Sequence, residues 1–236
     1  MPTPTQHRTR AATPAVLMLA LTFSTGVIDA VGYLGLDRVF TGNMTGNVVI
    51  LAMALTGADG LPVVGPLLAL LGFAAGAALG GRLLRGRPAG WHAATTGIVA
   101  GVGGCLLLLT VLLVLPGVDE PRRLVVTALL GAAMGCQAAA ARHVAVPDVS
   151  TVVVTSTITG LAADSGLGNG RGSQWRRRGT AVGLIMAGAA TGALLLRVHL
   201  GLGLALSAVL TLAVAWLGHR AHVTPTTSQP AEERTA

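Results

Sequence analysis

Asp29 stands about midway along an apolar run, residues 14–36, where an ionised carboxylate costs roughly 2.5 to 3.5 kcal/mol even on lenient insertion scales. Such a group needs a partner, a proton or water. It can serve as a proton or cation site, or it can be a structural acid bonded to a neighbour such as Gln137, Arg142 or Tyr33. Shortly after it comes the string Thr41-Gly42-Asn43-Met44-Thr45-Gly46-Asn47, and far downstream Thr155-Ser156-Thr157-Ile158-Thr159-Gly160. On a helix Thr41 and Thr45 share one face, Asn43 and Asn47 an adjacent one, and Thr151, Thr155 and Thr159 align in the second string. Hydroxyls and amides without fixed charge can replace part of the hydration shell of a small polar solute or ion, aided by an exposed helix end. The rival reading is that they bond back to i−4 carbonyls or hold helices together. The candidate solute-binding residues are therefore Asp29, Thr41, Asn43, Thr45, Asn47, Gln137, Thr155, Thr157 and Thr159.

Other chemistry has no visible seat. There is no Walker A string, GxSxG or HExxH, so no enzyme and no cofactor is expected. The glycine-rich 166–170 stretch precedes arginines instead of joining a strand to a phosphate-binding helix, and reads as a loop. His7, His92, His143, His199, His219 and His222 lie near the ends of apolar runs or in tails, without an HxxxH pair, so no metal site is expected. Cys105 and Cys136 sit inside apolar runs, with no CxxC knuckle and no disulfide framework.

The elements that must position these residues follow from composition. Of 236 residues, 52% are hydrophobic and 11% charged, with mean hydropathy +0.71, whereas soluble proteins carry about 25% charged residues. The chain reads as an all-α integral membrane protein. Its formal charge of +7 does not point to nucleic acid, because the arginines sit between apolar runs rather than along one helical face. Six runs are long enough to span, 14–36, 61–84, 91–115, 124–144, 180–198 and 199–217. The first is read as a retained helix and not a signal peptide, since it continues through Ser24, Thr25, Gly26 and Asp29. Two shorter segments, 41–55 and 149–163, begin with small polar residues and read as half-length re-entrant or broken helices. Residues 1–13 read as a cytoplasmic N-terminal tail, 14–219 as the transmembrane domain, and 220–236 as a disordered C-terminal tail.

One half of the chain echoes the other. The two threonine strings lie 114 residues apart, and Gly76, Gly80, Leu83, Leu84 and Arg85 match Gly188, Gly192, Leu195, Leu196 and Arg197 at an offset of 112. Gly26 can pair with Gly135 if the second copy has a longer connecting loop. Repeat one covers about 14–116 and repeat two about 123–219, each a helix, a short polar segment and two helices. If the short segments do not cross, twelve arginines fall on one side and four on the other. If both cross fully, the split is ten to six. The larger asymmetry favours six spanning helices in an inverted repeat with cytoplasmic termini, and eight full transmembrane helices in a parallel repeat is the alternative. The ladders Gly72/Gly76/Gly80, Gly188/Gly192 and Gly97/Gly101 have the spacing of close helix packing, within one chain or in a homodimer. The Arg176-Arg177-Arg178 run is a topology anchor at lipid head groups.

The stretch 22–57, with Gly26, Asp29-Ala30, Tyr33-Leu34, Val39-Phe40 and Asn43-Met44-Thr45-Gly46-Asn47, resembles the YoaK-like family of bacterial membrane proteins of unknown function. So does Ala133-Met134-Gly135-Cys136-Gln137 through Arg142, Pro147 and the second threonine string. The likeness runs from about residue 15 to 217, with one departure: Gln137-Ala138 stands where the family leads one to expect Gln-Asn. The resemblance implies a multi-pass membrane protein and assigns no reaction. The residues themselves suggest a small-solute or ion transporter or channel of the bacterial inner membrane, with the lipid bilayer and an unidentified solute as partners. The alternative is a non-transporting assembly or partner-binding subunit.

Overall fold

A computed structural model of the chain describes residues 4–58, 60–117, 119–145, 154–165, 168 and 175–223. These form eight helices: α1 (Pro4–Gly35), α2 (Met44–Leu55), α3 (Val64–Leu83), α4 (Ala93–Val114), α5 (Glu120–Val144), α6 (Val154–Ala163), α7 (Trp175–Leu196) and α8 (Leu200–Val223). Six are long and apolar enough to cross a membrane, and α2 and α6 are the short ones. Large apolar side chains such as Leu71, Met186 and Leu194 stand 59%, 67% and 60% exposed on the outer faces. Lipid, not water, is the solvent that suits such surfaces.

Several helix ends differ from the sequence expectation. α1 starts at Pro4, so most of the expected N-terminal tail is helical, and Pro14 lies inside the helix. α7 starts at Trp175, five residues before its apolar run, because a first turn bearing Arg176 to Arg178 is helical without being hydrophobic. α8 runs through Val223, beyond the expected tail boundary at 220. The tail from 224, residues 149–153 with Thr151, and most of the glycine-rich stretch and of the arginine loop before Trp175 lie outside the described residues.

α1 packs on α7 and α8, α3 on α5, α4 on α5 and α8, α2 on α3, and α6 on α7. The α1–α7 and α3–α5 contacts are closed by glycines. A Cβ on Gly26 would overlap the carbonyl oxygen of Ile185, and one on Gly188 that of Phe23. Likewise a Cβ on Gly135 would overlap the carbonyl of Phe73, and one on Gly76 that of Ala132. Each carbonyl belongs to the residue three before the opposing glycine. Only a backbone without side chains permits this approach. Gly97 and Gly101 behave differently: a Cβ on either meets nothing within 4 Å, so this pair packs no helix among the described residues.

Contacts between loops sort the helix ends into two groups. At one end, Arg38 Nη1 donates to the Gly60 carbonyl at 2.9 Å, Asp37 lies against Gly65 in the first turn of α3, and Arg123 Nη1 reaches the Gly35 carbonyl at 3.5 Å. There burial, reinforced by Glu120, pushes the Asp37 carboxyl above its ordinary range against the pull of Arg38 and Arg123. At the other end Gly90 N donates to the His143 carbonyl at 3.1 Å, the Trp91 indole covers Gly218, and the rings of His92, His143 and His222 gather. Among the described residues no three metal-ligating groups are placed to hold an ion.

These contacts show how α2 runs. The chain leaves α1 at Gly35, descends to the level of Asp29, and returns through α2 to the loop at Gly60, beside Arg38. The segment 41–55 thus begins beside Asp29 and ends back at the Gly35 end. α6 lies at the opposite end, where Asp164 just past its last turn pairs with Arg178 of α7 and Gly160 backs onto the same guanidinium.

Candidate functional site

Asp29 lies six residues from the end of α1, about 9 Å of helical rise inside it. Its Oδ1 accepts from the backbone amides of Thr41 at 2.8 Å and Gly42 at 2.7 Å, with the Thr41 hydroxyl at 3.4 Å. The acid is satisfied by the loop it pins and not by the expected Gln137, Arg142 or Tyr33. The buried amides and the acid oxygen satisfy one another, which fixes the loop against α1 without water.

A second side chain clamps the same loop from the other side. Asn47 is fully buried, its Oδ1 accepts from Phe40 N at 2.8 Å, and its Nδ2 donates to the Phe40 carbonyl. Both of its polar atoms therefore bond one residue's backbone, as a neighbouring strand would, and Nδ2 also reaches Met44 Sδ at 3.7 Å. Asn43 caps α2, its Oδ1 accepting from Gly46 N at 3.3 Å. Because α2 begins only at Met44, Thr41 and Asn43 precede the helix. The expected shared face of Thr41 with Thr45 does not exist.

Gln137 is also fully buried, and its Nε2 donates to Thr25 Oγ1 at 3.2 Å, which ties α5 to α1 at the residue whose methyl group backs onto Gly42 of the polar loop. Thr159 donates back to the Thr155 carbonyl at 2.9 Å, the local bond of a helical threonine.

What the structure does bring together is a cavity of about 730 Å³. It lies between the first turns of α2 and α6, which arrive from opposite ends. Asp29 and Tyr33 of α1, Phe40, Gly42, Asn43, Thr45, Gly46, Val49 and Ile50 of the loop and α2, Val154 and Thr155 of α6, and Ile185 of α7 line it. Of the sequence candidates, Asp29, Asn43, Thr45 and Thr155 border this space. Thr41, Asn47, Gln137, Thr157 and Thr159 do not. Volumes of this size are typical of small-molecule sites.

The family profile described as "Protein of unknown function (DUF1275)" matches residues 17–217. The chain belongs to this family. It is also similar to the UPF0700 transmembrane protein YoaK of Bacillus subtilis (strain 168), 32% identical over 158 residues that make up 66% of this chain and 69% of the relative. No solved structure matches the chain. This DUF1275 protein is thus a multi-pass, all-α membrane protein, as the resemblance implied.

Sequence reasoning missed the aromatic wall of the cavity. Tyr33 and Phe40 stack with ring centroids 4.9 Å apart and planes 23° from parallel. The available signal was spacing: Tyr33 follows Asp29 by four residues and so shares its helix face. Nothing in the pattern of residues marked Ile185, which reaches the cavity from the far half of this DUF1275 chain.

Proposed function

We propose that the protein is a channel or carrier for a small polar solute or ion in the bacterial cytoplasmic membrane, built from two inverted halves around the Asp29 cavity. The observation that carries this reading is the position of the cavity. It lies where two short helices from opposite ends bring their first turns together, the arrangement that binding sites of inverted-repeat transporters use. The packing supports the inversion. Exchanging the halves maps α1 onto α5, α2 onto α6, α3 onto α7 and α4 onto α8, and turns the α1–α7 contact into α3–α5, α1–α8 into α4–α5 and α2–α3 into α6–α7. The reciprocal glycines exchange in the same way. The reading assigns no catalytic step, no cofactor and no nucleic acid.

Sidedness follows from the arginines. Arg38, Arg122, Arg123 and Arg197 belong to the Gly35 end, whereas Arg82, Arg85, Arg87, Arg142, Arg176, Arg177, Arg178 and Arg220 belong to the Trp91 end. The positive-inside rule puts the second group, with both termini, in the cytoplasm. A cysteine replacing Arg85, in a background lacking Cys105 and Cys136, is expected to react with a membrane-impermeant maleimide only after the cells are opened. Labelling in intact cells would reverse the assignment.

A second reading, a non-transporting assembly subunit, draws support from the local spending of Asn47, Thr41 and Gln137 on structural bonds. The two are separated by proteoliposome swelling in a panel of small polar solutes and salts. Thr45→Val combined with Thr155→Val keeps volume and branching and deletes two cavity hydroxyls. We expect it to slow entry of the transported solute at least tenfold with unchanged melting, while Thr159→Val leaves entry unaltered. Impaired folding without a selective defect in entry would favour the assembly reading.

A further inference from the structure

We infer that the cavity takes a small organic ammonium ion, a primary amine on an apolar body, with Asp29 as its counter-charge and the Tyr33–Phe40 stack as its wall. This rests on reading the cavity as a solute site, and it names the class of solute.

The charge balance comes first. Among the described residues that line the cavity, Asp29 is the sole carboxylate, and no arginine or histidine accompanies it there. Three of the backbone amides nearby are already spent: those of Thr41 and Gly42 go to Asp29, and that of Gly46 goes to Asn43. An anion entering this space would meet a carboxylate with no compensating cation. A cation would meet a carboxylate that retains acceptor capacity, since the short loop bonds gather on Oδ1 and a carboxylate offers about four lone-pair positions.

The remaining lining separates organic from inorganic cations. A hard metal ion takes six or more oxygen ligands. Here Asn43 Oδ1 is occupied by its capping bond, which leaves Asp29 and the hydroxyls of Thr45, Thr155 and Tyr33 as side-chain oxygens. Most of the wall is instead aromatic or aliphatic, from Tyr33, Phe40, Val49, Ile50, Val154 and Ile185. Ring faces attract cations and apolar bodies alike. An ammonium group has three donors, which Asp29, Thr45 and Thr155 match, while the aromatic and aliphatic wall takes the carbon skeleton.

The test uses the full-length protein in nanodiscs and isothermal titration with three probes of similar shape: benzylammonium, benzyl alcohol and benzoate. Benzylammonium is expected to bind at least tenfold more tightly than benzyl alcohol, and benzoate not measurably. Asp29→Asn keeps an acceptor for the loop amides and should abolish that preference. Tyr33→Leu, which touches no loop bond, should weaken benzylammonium severalfold, and it decides the matter if Asp29→Asn does not fold. Benzoate binding as tightly as the amine, no binding of any probe, or unchanged benzylammonium affinity in Tyr33→Leu would each overturn the inference. Counterflow of labelled benzylammonium in proteoliposomes keeps the two readings apart. Binding without counterflow leaves the amine site standing and sinks the transporter, whereas inorganic-ion flux without amine binding does the reverse.

Discussion

Gly76→Ala is expected to destabilise the bundle by about 1–3 kcal/mol or more, the range for forcing a methyl group into a packed interface. The added Cβ would overlap the Ala132 carbonyl, which is backbone and cannot turn aside as a side chain does. α3 would have to move off α5 along the whole contact. Gly135→Ala, Gly26→Ala and Gly188→Ala should behave alike, because each meets a carbonyl of the opposing helix in the same way. The control has the opposite sign. Gly97 and Gly101 lie on a helix where a Cβ meets nothing within 4 Å, so alanine there gains helix propensity of up to about 1 kcal/mol at no steric cost. Thermal unfolding in one detergent, monitored by circular dichroism, checks all six variants together. If Gly76→Ala and Gly97→Ala melted at the same temperature, the close α3–α5 approach would be wrong.

The same glycines show how much of the fold was legible. Spacing alone flagged Gly72/Gly76/Gly80, Gly188/Gly192 and Gly97/Gly101 as equivalent ladders. Only the first two are packed within the chain, because a helix that is apolar all round carries no periodicity to tell its lipid face from its protein face. The six spans were readable from the length of their apolar runs, which the bilayer itself dictates. Their ends were less so: the α1 start at Pro4 and the arginine-bearing first turn of α7 are helical without being hydrophobic. In the site, sequence identified Asp29 and the threonine strings as the polar groups within the spans. It placed Thr41 and Asn43 on a helix that starts only at Met44, three residues after the first and one after the second. The Asn43 cap was visible in principle, as an Asn three residues before the amide it accepts from. The two clamps on the loop were not. A partner for Asp29 twelve residues away, or for Phe40 seven away, follows only once the chain is known to double back before α2.

Asp29→Leu is expected to cost roughly 2–6 kcal/mol, because it removes the acceptor of two buried amides, and each unsatisfied group costs about 1–3 kcal/mol. Thr41 and Gly42 are both buried, so water cannot take over without opening the loop. Asp29→Asn should cost far less, since the amide oxygen can accept the same two bonds and gives up only their charge assistance. Asn47→Ala should resemble Asp29→Leu, as it leaves both the amide and the carbonyl of Phe40 without their partner. Hydrogen exchange distinguishes these cases by position. In Asp29→Leu the amides of Thr41 and Gly42 should lose protection while the span of α1 keeps it, and in Asn47→Ala the amide of Phe40 should be the one to exchange. Full protection at Thr41 and Gly42 in Asp29→Leu would mean that something else holds the loop, and the doubled-back path of the segment before α2 would have to be abandoned. If Asp29→Asn instead melted as low as Asp29→Leu, charge and not acceptor geometry would be what the loop requires. The amine reading of the cavity would then have to share its counter-charge with the fold itself.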